Sequence, residues 1–563
     1  MPGTAIPPVD SAITFGLLPA DSFVPILSPE EIACWDHATV TEIGLRSELL
    51  MENACREALA VFELELGDPA GLSVLLFAGS GNNGGDAFGL ARHLHDRGAQ
   101  VCTLHTRPKQ QYKGAAGYHL ALARRAGVPL RLLPQAGIRF NPTHLFGTTR
   151  PDVVVDGLLG TGFNGELKPE LRLWVDWINH FSLSPKGAFV LALDVPSGFN
   201  AATGQFSDNT VRATATVTFE AAKVGLTQPG ATDAIGRLYV RPIGIPRVIR
   251  ERYPARCGLL APSIVRLAIA ASSTIHKGMA GRILVVGGSM GLTGAATLAG
   301  LGALRAGAGL VTLACPAELA TEVKAGFPEL MTLPLGHGSQ WRAELVEELL
   351  PHLETSDALV LGPGLGRDPN AHTFLAALLA ARRPATVVDA DALFFISQHK
   401  ELGTLLGPKD VLTPHPGEMA NLMNTETAIV VHNRLCMAIK LAQKYKVVSL
   451  LKGAGTIVTS PTGMAYISPF ACPNLAVGGS GDVLAGLLAT LLGRGLPSLP
   501  ATCLAVYWHG FSGKLLTRTY PLRGNLAREI AQILPWALKE LHDTDSQRHH
   551  GPFTNNGGPR DKH

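Results

Sequence analysis

Short apolar runs alternate with segments of helix length along the chain, and this alternation occurs in two separate series. The runs of the first series are rich in Val, Leu and Ala, and they lie at 73–78, 99–104, 152–156, 188–194, 213–219 and 237–242. A long helix is predicted ahead of them, because residues 28–31, Ser-Pro-Glu-Glu, have the spacing of a capping box with proline at the first helical position. Strands that alternate with helices favour a mostly parallel sheet with helices on both faces, which is an α/β fold.

A second series begins after residues 243–262, a stretch that mixes proline with basic residues and is the predicted domain boundary. Its apolar runs lie at 282–287, 309–314, 356–361, 385–389, 410–413 and 447–451. The turns that follow the runs contain glycine or aspartate, as in GGSMG, GPGLG, DADAL, TPHPGE and KGAGT. Open α/β sheets bind ligands at the carboxyl ends of their strands, so we expect a site among these turns. Residues 543–563 lack apolar periodicity and are predicted to be a disordered tail.

Composition narrows the class of protein. A chain of 563 residues exceeds the size of one ordinary core and predicts two to four domains. A net charge of +3 without any long run of Lys or Arg argues against binding to nucleic acid or to an anionic membrane. The eight cysteines are scattered and form no C-x-x-C pair, which is typical of a reducing compartment. The first 45 residues contain no Lys or Arg, so the charged region of a secretory signal is missing and we expect a cytoplasmic protein.

One uncharged segment, residues 283–304, is long enough to span a membrane. Gly, Ala, Ser and Thr dominate it, however, and this composition favours a strand, a glycine loop and a buried helix. We therefore expect no membrane partner.

The sequence GSGNNGGD at 79–86 matches the G-x-G-x-x-G pattern of dinucleotide-binding folds. Such a site also needs an acidic residue at the end of the next strand, to bind the ribose hydroxyls. The strand predicted there ends in His-Thr-Arg at 105–107, where only Arg107 could meet a nucleotide, through a 2′-phosphate. The pattern is therefore a poor indication of a dehydrogenase.

Carboxylates at three predicted strand ends favour a binding site instead. The glycine loop itself carries Asn82, Asn83 and Asp86, which suit a polar ligand or a cation, with a tight turn as the alternative. Asp156 in DVVVDGLLGTGFNGEL and Asp194 in LALDVPSGFNAATG follow two further strands. Each could cap a helix, but strand ends of one parallel sheet converge on one edge, so together they indicate a site.

These motifs resemble a known family. GSGNNGGD, VDGLLGTGF, LALDVPSGFNAATG and TVTFEAAKVGL are similar to the epimerase domain of the NAD(P)H-hydrate repair enzymes. HKGMAGRILVVGGSMGLTGAA, GPGLG, TPHPGE, LKGAGTIV and GGSGDVLAG resemble the partner dehydratase domain, and their order matches the fused bacterial type over roughly residues 28–540. The resemblance implies two three-layer α/β/α domains, a Rossmann-like epimerase domain at 28–245 and a ribokinase-like dehydratase domain at 262–541.

The resemblance also implies substrates and cofactors. In this family the substrate is NADH or NADPH hydrated on the nicotinamide ring. The first domain would interconvert the R and S hydrates, and the second would dehydrate the S hydrate with ADP, releasing AMP and phosphate. We expect K⁺ in the first domain, Mg²⁺ with ADP in the second, and a homo-oligomer.

In the first domain the resemblance implies a cation site and an acid–base group. Asn83, Asp156 and Ser197 would surround K⁺, which oxygen ligands suit. Asp194 is the candidate for the acid–base group. Lys223 is a weaker candidate, for an electrostatic role, and the alternative is that it is a solvated lysine on the surface. The residues expected to bind the hydrate are Asn82, Asn83, Gly84, Gly85, Asp86, Gly160, Thr161, Gly162, Phe163, Asn164, Gly165, Glu166 and Asp194.

The glycine loop departs from the family at one position. The family usually has glycine after the aspartate, whereas this chain has Ala87. If the position needs a positive φ, alanine costs about 1 kcal/mol and shifts the loop.

In the second domain the resemblance makes Asp482 the base that takes the proton of the substrate hydroxyl, with a plain helix cap as the alternative. The Gly-Ser-Gly turn before it opens a helix, whose N-terminus can stabilise a transferring phosphoryl group. His415 lies between two prolines, and the alternative to a binding role is that it only forms a turn. The expected hydrate-binding residues are Ala280, Gly364, His415 and Asp482. The expected nucleotide-binding residues are Lys452, Gly453, Ala454, Gly455, Thr456 and Gly481.

Two other functions compete with this interpretation. A small-molecule kinase would account for the second half alone, but not for its fusion to the first. A non-enzymatic binding scaffold would lack the carboxylates of the first half, yet Asp86, Asp156 and Asp194 are all present.

Overall fold

The computed structural model describes residues 16–133, 143–147, 150–182, 187–268 and 280–550. It divides into two compact units. The first unit is Pro25–Cys257, and the second unit contains the described residues up to Val24 and from Gly258 onwards. The division lies inside the stretch 243–262, where the sequence indicated a boundary. That the segment before Pro25 belongs to the second unit was not predicted.

A parallel sheet forms the centre of the first unit. Its strands are, in spatial order, Leu130–Leu132, Gln100–His105, Ser73–Ala78, Val153–Gly157, Phe189–Leu193, Ala215–Phe219 and Arg237–Arg241. In the strand Ser73–Ala78, alternate residues are buried in two separate apolar clusters. Val74 and Leu76 lie in one cluster, and Leu75 and Phe77 lie in the other. Both faces are therefore covered, as expected for a three-layer α/β/α unit.

Helices of the first unit connect these strands. They are Pro29–Glu42, Ser47–Leu66, Asn82–Asp96, Gly114–Arg125, Thr143–Phe146, Pro169–Ser182, Thr232–Ile235 and Arg247–Arg252. The predicted capping box is confirmed, because the Ser28 hydroxyl accepts from the Glu31 amide and the Glu31 carboxylate accepts from the Ser28 amide. A short strand, Ala222–Lys223, pairs in parallel with Ile26 and Leu27 of the strand Phe23–Leu27.

The second unit also has a mostly parallel sheet. Its parallel strands are, in spatial order, Met331–Leu335, Leu310–Pro316, Arg282–Val286, Ala358–Leu361, Ala385–Val388, Val411–Leu412 and Val448–Leu451. Ile457–Thr459 and Ala465–Ile467 extend it in antiparallel fashion, and Cys257–Leu260 lies at the division between the units. The predicted α/β class is confirmed in both units.

Helices cover this second sheet. They are Thr293–Arg305, Ala320–Lys324, Leu345–Thr355, Pro369–Ala380, Asp391–Gln398, Pro416–Met423, Thr427–His432, Arg434–Tyr445, Ser480–Gly493, Ser498–Leu516 and Ala527–His550. Two of them approach closely through glycine. A Cβ on Gly486 would lie 1.9 Å from the Ala299 carbonyl oxygen, and one on Gly302 would lie 2.4 Å from that of Val483. This contact fixes the helix that begins with the GGSGD motif.

Two predictions from the sequence concern the ends of this unit and can be compared with the structure. Residues 283–304 form a strand, a glycine turn and a helix as expected, and none of the helices in the described segments has the length and apolar character needed to cross a membrane. The tail prediction from residue 543 starts too early, because the last helix runs to His550. Asp545 accepts a hydrogen bond from Arg266 Nε at 2.7 Å. Residues 551–563 lie outside the described residues.

Candidate active sites

A cleft of about 1410 Å³ opens at the carboxyl ends of the strands of the first unit. The strand ends at Ala78, Gly157 and Leu193 all lead into it. The following predicted residues line it: Asn82, Asn83, Asp86, Gly160, Thr161, Gly162, Phe163, Asn164, Glu166 and Asp194. The structure thus brings the three motifs of the first half together, as their positions at strand ends predicted.

Three predicted glycines, Gly84, Gly85 and Gly165, do not line this cleft. A Cβ on Gly84 would lie 1.9 Å from the Gly79 carbonyl oxygen, and one on Gly85 would lie 2.5 Å from the Met51 sulfur. These two glycines therefore allow the helix Asn82–Asp96 to pack closely, rather than forming the surface of the cleft.

The concern about Ala87 is wrong. The helix begins inside the motif, at Asn82, so Ala87 lies in its second turn and has no positive φ. Alanine is a good helix former, and no strain arises from the departure. The glycine-rich composition of the motif was misleading, because it indicated a loop where the helix has already begun.

Asn83, Asp156 and Ser197 form one buried cluster. The Ser197 hydroxyl donates to Asp156 Oδ1 at 2.7 Å, and the Ser197 amide donates to Oδ2 at 2.7 Å. The Asn83 side-chain amide donates to the Leu159 carbonyl at 2.6 Å, while the Leu159 amide donates to the Ser197 hydroxyl at 2.9 Å. Burial raises the pKa of Asp156 to about 6 against the opposing effect of these hydrogen bonds.

The amide oxygen of Asn83 has no hydrogen-bond partner although it is buried. A buried acceptor without a partner is costly, and a cation supplies what it lacks. An amide, a carboxylate and a hydroxyl oxygen together are a hard donor set of the kind that alkali and alkaline-earth cations prefer. The residues present therefore fit a potassium ion.

Asp194 and Lys223 form an ion pair at the cleft. Lys223 Nζ donates to Asp194 Oδ1 at 2.5 Å, to the Thr218 hydroxyl at 2.9 Å and to the Phe219 carbonyl at 3.0 Å. The lysine side chain is 1% exposed, so the alternative of a solvated surface lysine is wrong. Asp194 has φ of 60°, an uncommon conformation for a non-glycine residue that is often found at functional sites.

Two further carboxyl groups belong to this cleft. Burial raises the pKa of Asp86 well above its usual range, and the charges of Asp194 and Asp36 add to the effect. Asp36 also lines the cleft, and burial raises its pKa to about 6. The sequence analysis missed Asp36 because it lies within a helix, away from every glycine-rich turn. The only indication in the sequence that Asp36 faces inward was its position one helical turn after Ile32, which is buried.

Asp482 lies in the first turn of the helix Ser480–Gly493, after Gly479, which has φ of 92°. Burial raises the pKa of Asp482 to about 7, with a further upward effect from Asp389 that Lys452 partly offsets. Lys452 Nζ donates to Asp389 Oδ1 at 2.5 Å, and the Asp389 side chain is 1% exposed. The site thus combines a carboxyl that titrates near neutrality, a lysine and a helix N-terminus.

Asp389 and Glu418 are functional candidates that the sequence analysis did not single out. Burial raises the pKa of Glu418 to about 7, and Asp389 adds to the effect. Both lie in turns that the sequence did mark, DADAL and TPHPGE, so position at a strand end was the available signal. Carboxylate oxygens are the protein ligands that Mg²⁺ prefers, and the excess negative charge beside Lys452 suits such an ion.

The loop that starts at Lys452 follows the strand Val448–Leu451 and contains two glycines with positive φ, 138° at Gly453 and 59° at Gly455. The Arg434 guanidinium donates to the carbonyls of Ala454 and Gly455, at 3.3 Å for the second. Arg434, on the helix Arg434–Tyr445, therefore fixes the loop by hydrogen bonds to its backbone. The loop needs glycine at the two positions with positive φ.

Other predicted residues of this site have mixed outcomes. His415 caps the helix Pro416–Met423, its Nδ1 accepting from the Gly417 amide at 3.0 Å, so the turn alternative describes its local role. Burial lowers the pKa of His415, and the positive charge of Lys452 lowers it further. A Cβ on Gly364 would lie 2.2 Å from the Leu292 carbonyl oxygen, and one on Gly481 would lie 3.0 Å from Lys452 Nζ.

Ala280 does not reach this site. It precedes the amino end of the strand Arg282–Val286, whereas the other residues follow carboxyl ends. A Cβ on the adjacent Gly281 would lie 3.6 Å from the carbonyl carbon of Gly493, at the far end of the helix that begins near Asp482. A 14-residue helix is roughly 20 Å long. The expectation that Ala280 binds the hydrate is therefore wrong.

Comparison with known proteins decides the family. A family model described as NAD(P)H-hydrate dehydratase matches residues 283–536, and one described as YjeF-related protein N-terminus matches residues 47–225. A bifunctional NAD(P)H-hydrate repair enzyme of Moorella thermoacetica is 37% identical over 527 residues, covering 92% of this chain and 97% of that protein. The chain belongs to this family. The relative from Escherichia coli is 31% identical, covering 90% of this chain and 92% of that protein.

Within this bifunctional repair family the two matched regions fall in different structural units, residues 47–225 in the first and residues 283–536 in the second. A solved structure from Bacillus subtilis, described as an ADP/ATP-dependent NAD(P)H-hydrate dehydratase co-crystallized with ATP and Mg²⁺, is 28% identical. It covers 50% of this chain and 98% of that chain with a TM-score of 0.43.

Proposed function

We propose that this chain repairs hydrated NADH and NADPH by two activities at two separate sites. The first unit would interconvert the R and S hydrates, and the second would convert the S hydrate to the reduced cofactor. The observation that carries the proposal is the arrangement around Asp482, a carboxyl that titrates near neutrality at a helix N-terminus beside Lys452. Family membership and the cleft around Asp194 and Lys223 support the first activity.

In the second unit, Asp482 would take the proton of the substrate hydroxyl, and the hydroxyl oxygen would attack the terminal phosphoryl group of ADP. AMP leaves, and the hydroxyl becomes a phosphate ester. Hydroxide is a poor leaving group, whereas phosphate leaves readily. The C–O bond then breaks as the ring nitrogen donates its electron pair, and loss of a proton from the neighbouring carbon restores the double bond of the reduced ring.

Groups around Asp482 would stabilise the charge that moves in this reaction. The first amides of the helix Ser480–Gly493 and the Lys452 ammonium offer hydrogen bonds and positive charge to phosphoryl oxygens. Glu418 and Asp389 would hold Mg²⁺, which neutralises phosphate charge when bound. ADP is the nucleotide expected from the fused bacterial type, and a cytoplasmic homo-oligomer is the expected assembly.

In the first unit, Asp194 would act on the carbon that bears both the hydroxyl and the ring nitrogen. Its Oδ1 accepts from Lys223 and Thr218, while a Cβ on Gly160 would lie 3.8 Å from its Oδ2. Oδ2 is therefore the oxygen directed towards the loop that is expected to bind the hydrate. Asn83, Asp156 and Ser197 would hold K⁺, which fixes the loops on either side of the cleft.

The deciding experiment supplies the purified protein with mixed R and S NADH hydrate and with ADP or ATP. Recovery of reduced-nicotinamide absorbance is followed, together with AMP and phosphate. Absence of recovery with either nucleotide would overturn the proposal, and a stable phosphorylated product would indicate a kinase instead.

Two variants test the division of labour. Asp482→Asn is expected to abolish all recovery, because the hydroxyl is no longer deprotonated. Asp194→Asn is expected to leave repair of the S hydrate intact and to slow repair of the R hydrate to its spontaneous rate. Equal loss of both repairs in Asp194→Asn contradicts separate roles for the two sites.

A further inference from the structure

Asp36 lies on the wall of the cleft in the first unit, on the helix Pro29–Glu42. Ile32, Asp36 and Val40 all line the cleft, and their spacing of four residues places them on one face of the helix. Two members of this stripe are apolar and Asp36 lies between them, while the neighbouring His37 also lines the cleft. Asp36 Oδ1 is buried and has no hydrogen-bond partner.

The ion pair beside it leaves one proton-transfer role unfilled. Lys223 Nζ already donates to Asp194, Thr218 and Phe219, so its donors are used within the protein. Asp194 Oδ1 accepts from Lys223, from Thr218 and from the Phe219 amide at 3.4 Å, which suits an ionised carboxylate that only accepts. This pair can therefore supply a base but holds no free acid.

The charged groups around Asp36 come from several elements. Asp194 and Glu220 raise its pKa in addition to burial, and Lys223 opposes them. Asp86, on the helix Asn82–Asp96, lies close enough for Asp36 to raise its pKa in turn. One lysine thus faces several carboxyl groups. Burial and the excess negative charge raise the pKa of Asp36 to about 6, so a minor fraction of Asp36 carries a proton at pH 7.

We propose that Asp36 is the general acid of the first site and acts opposite Asp194 as base, an inference that rests on the epimerase activity proposed above. The geometry that carries it is the place of Asp36 on the wall of the same cleft as the Asp194–Lys223 pair, together with an Oδ1 that has no hydrogen-bond partner in the protein. Two carboxyl groups in different environments then provide the acid and the base of one reaction.

The proposed step balances in protons and electrons. Asp36 donates its proton to the substrate hydroxyl, the C–O bond breaks, and water leaves with that bonding pair while the ring nitrogen shares its lone pair to form a C=N bond. Water adds to the other face of the carbon, the C=N pair returns to nitrogen, and Asp194 accepts the released proton. Asp194 then releases its proton to solvent and Asp36 takes one up, which restores the starting state of the enzyme. The reverse reaction exchanges the two roles.

The test uses the full-length protein, pure R hydrate and ADP, with excess Asp194→Asn variant to supply dehydration. Asp36→Asn is expected to slow conversion of the R hydrate by about 100-fold or more, the usual contribution of a general acid, while its own repair of the S hydrate stays at the wild-type rate. Glu30→Gln, an exposed carboxylate on the same helix, is the matched control and is expected to behave as wild type.

A pH profile separates proton donation from a structural role. Because the acid must be protonated, wild-type R conversion falls as pH rises above about 6, the pKa of Asp36. The residual rate of Asp36→Asn is expected to lack this fall, and Asp36→Glu, which keeps a carboxyl, is expected to retain it. Asp36→Asn within about threefold of wild type, or with the fall unchanged, overturns the inference. Failure of the wild type itself to convert either hydrate overturns the proposed function instead.

Discussion

Buried carboxyl groups with raised pKa values occur in both sites. Burial raises the pKa values of Asp36 and Asp156 to about 6 in the first unit, and those of Glu418 and Asp482 to about 7 in the second. Burial is the largest cause in each case, because it disfavours the charged form. A group that titrates near the working pH can both accept and release a proton, which acid–base catalysis requires.

The pKa of Asp482 determines how dehydration depends on pH. If Asp482 acts as the proposed base, only its ionised form is active, and burial raises its pKa to about 7. The kcat/KM for the S hydrate is therefore expected to fall about tenfold per pH unit below 7 and to level off above it. Steady-state rates with pure S hydrate at saturating ADP measure this dependence. A flat profile between pH 5.5 and 8 would contradict the role of Asp482.

The same raised pKa makes Asp482 unfavourable for stability. Its folded pKa of about 7 lies above the ordinary value of 3.8 for this side chain. The carboxyl therefore increasingly opposes folding as pH rises between these values, and it costs most above pH 7. Asp482→Asn is expected to stabilise the second unit by roughly 1–3 kcal/mol at pH 8 and by less at pH 5. Calorimetric melting of both proteins at the two pH values tests this, and an equal gain at both excludes the titration as its cause.

At the scale of elements, one helix places a candidate catalytic group in its first turn. The helix Ser480–Gly493 carries Asp482 in its first turn, and it packs through Gly486 against the helix Thr293–Arg305. Apolar runs predicted the long central strands well, because residues buried on both faces leave a continuous apolar signal. Leu130–Leu132 and Met331–Leu335 were missed, since these short strands at the sheet edges are partly exposed.

Gly486→Ala tests the helix contact. The added Cβ would lie 1.9 Å from the Ala299 carbonyl oxygen, so the helices must separate and Asp482 must move with them. We expect a loss of about 1–3 kcal/mol in the stability of the second unit, a large fall in the kcat of dehydration, and unchanged epimerisation. Melting curves and single-hydrate assays measure these effects.

Gly407→Ala is the matched control, because a Cβ there meets no atom within 4 Å and the residue has no positive φ. It is expected to retain wild-type stability and activity. Equal behaviour of the two alanine variants would show that the glycine contact does not position Asp482.

At the scale of the whole molecule, each unit buries its own core and carries its own site. The two activities are therefore expected to complement each other between molecules. Asp194→Asn is expected to lack epimerisation and Asp482→Asn to lack dehydration. A mixture of the two is therefore expected to repair the R hydrate after a lag in which free S hydrate accumulates. Absorbance with pure R hydrate follows this recovery. A mixture no faster than Asp194→Asn alone would mean that S hydrate does not pass between molecules.

The sequence by itself determined the α/β class, the capped first helix and the turns at strand ends that form the two sites. These features are local, because burial patterns, capping spacing and turn residues depend on residues that are close together in the sequence. Only the tertiary structure decided the burial of Lys223, the exclusion of Ala280 and the place of Asp36 in the cleft. Those depend on which elements meet, and contacts between residues far apart in the chain leave no periodic signal in one sequence.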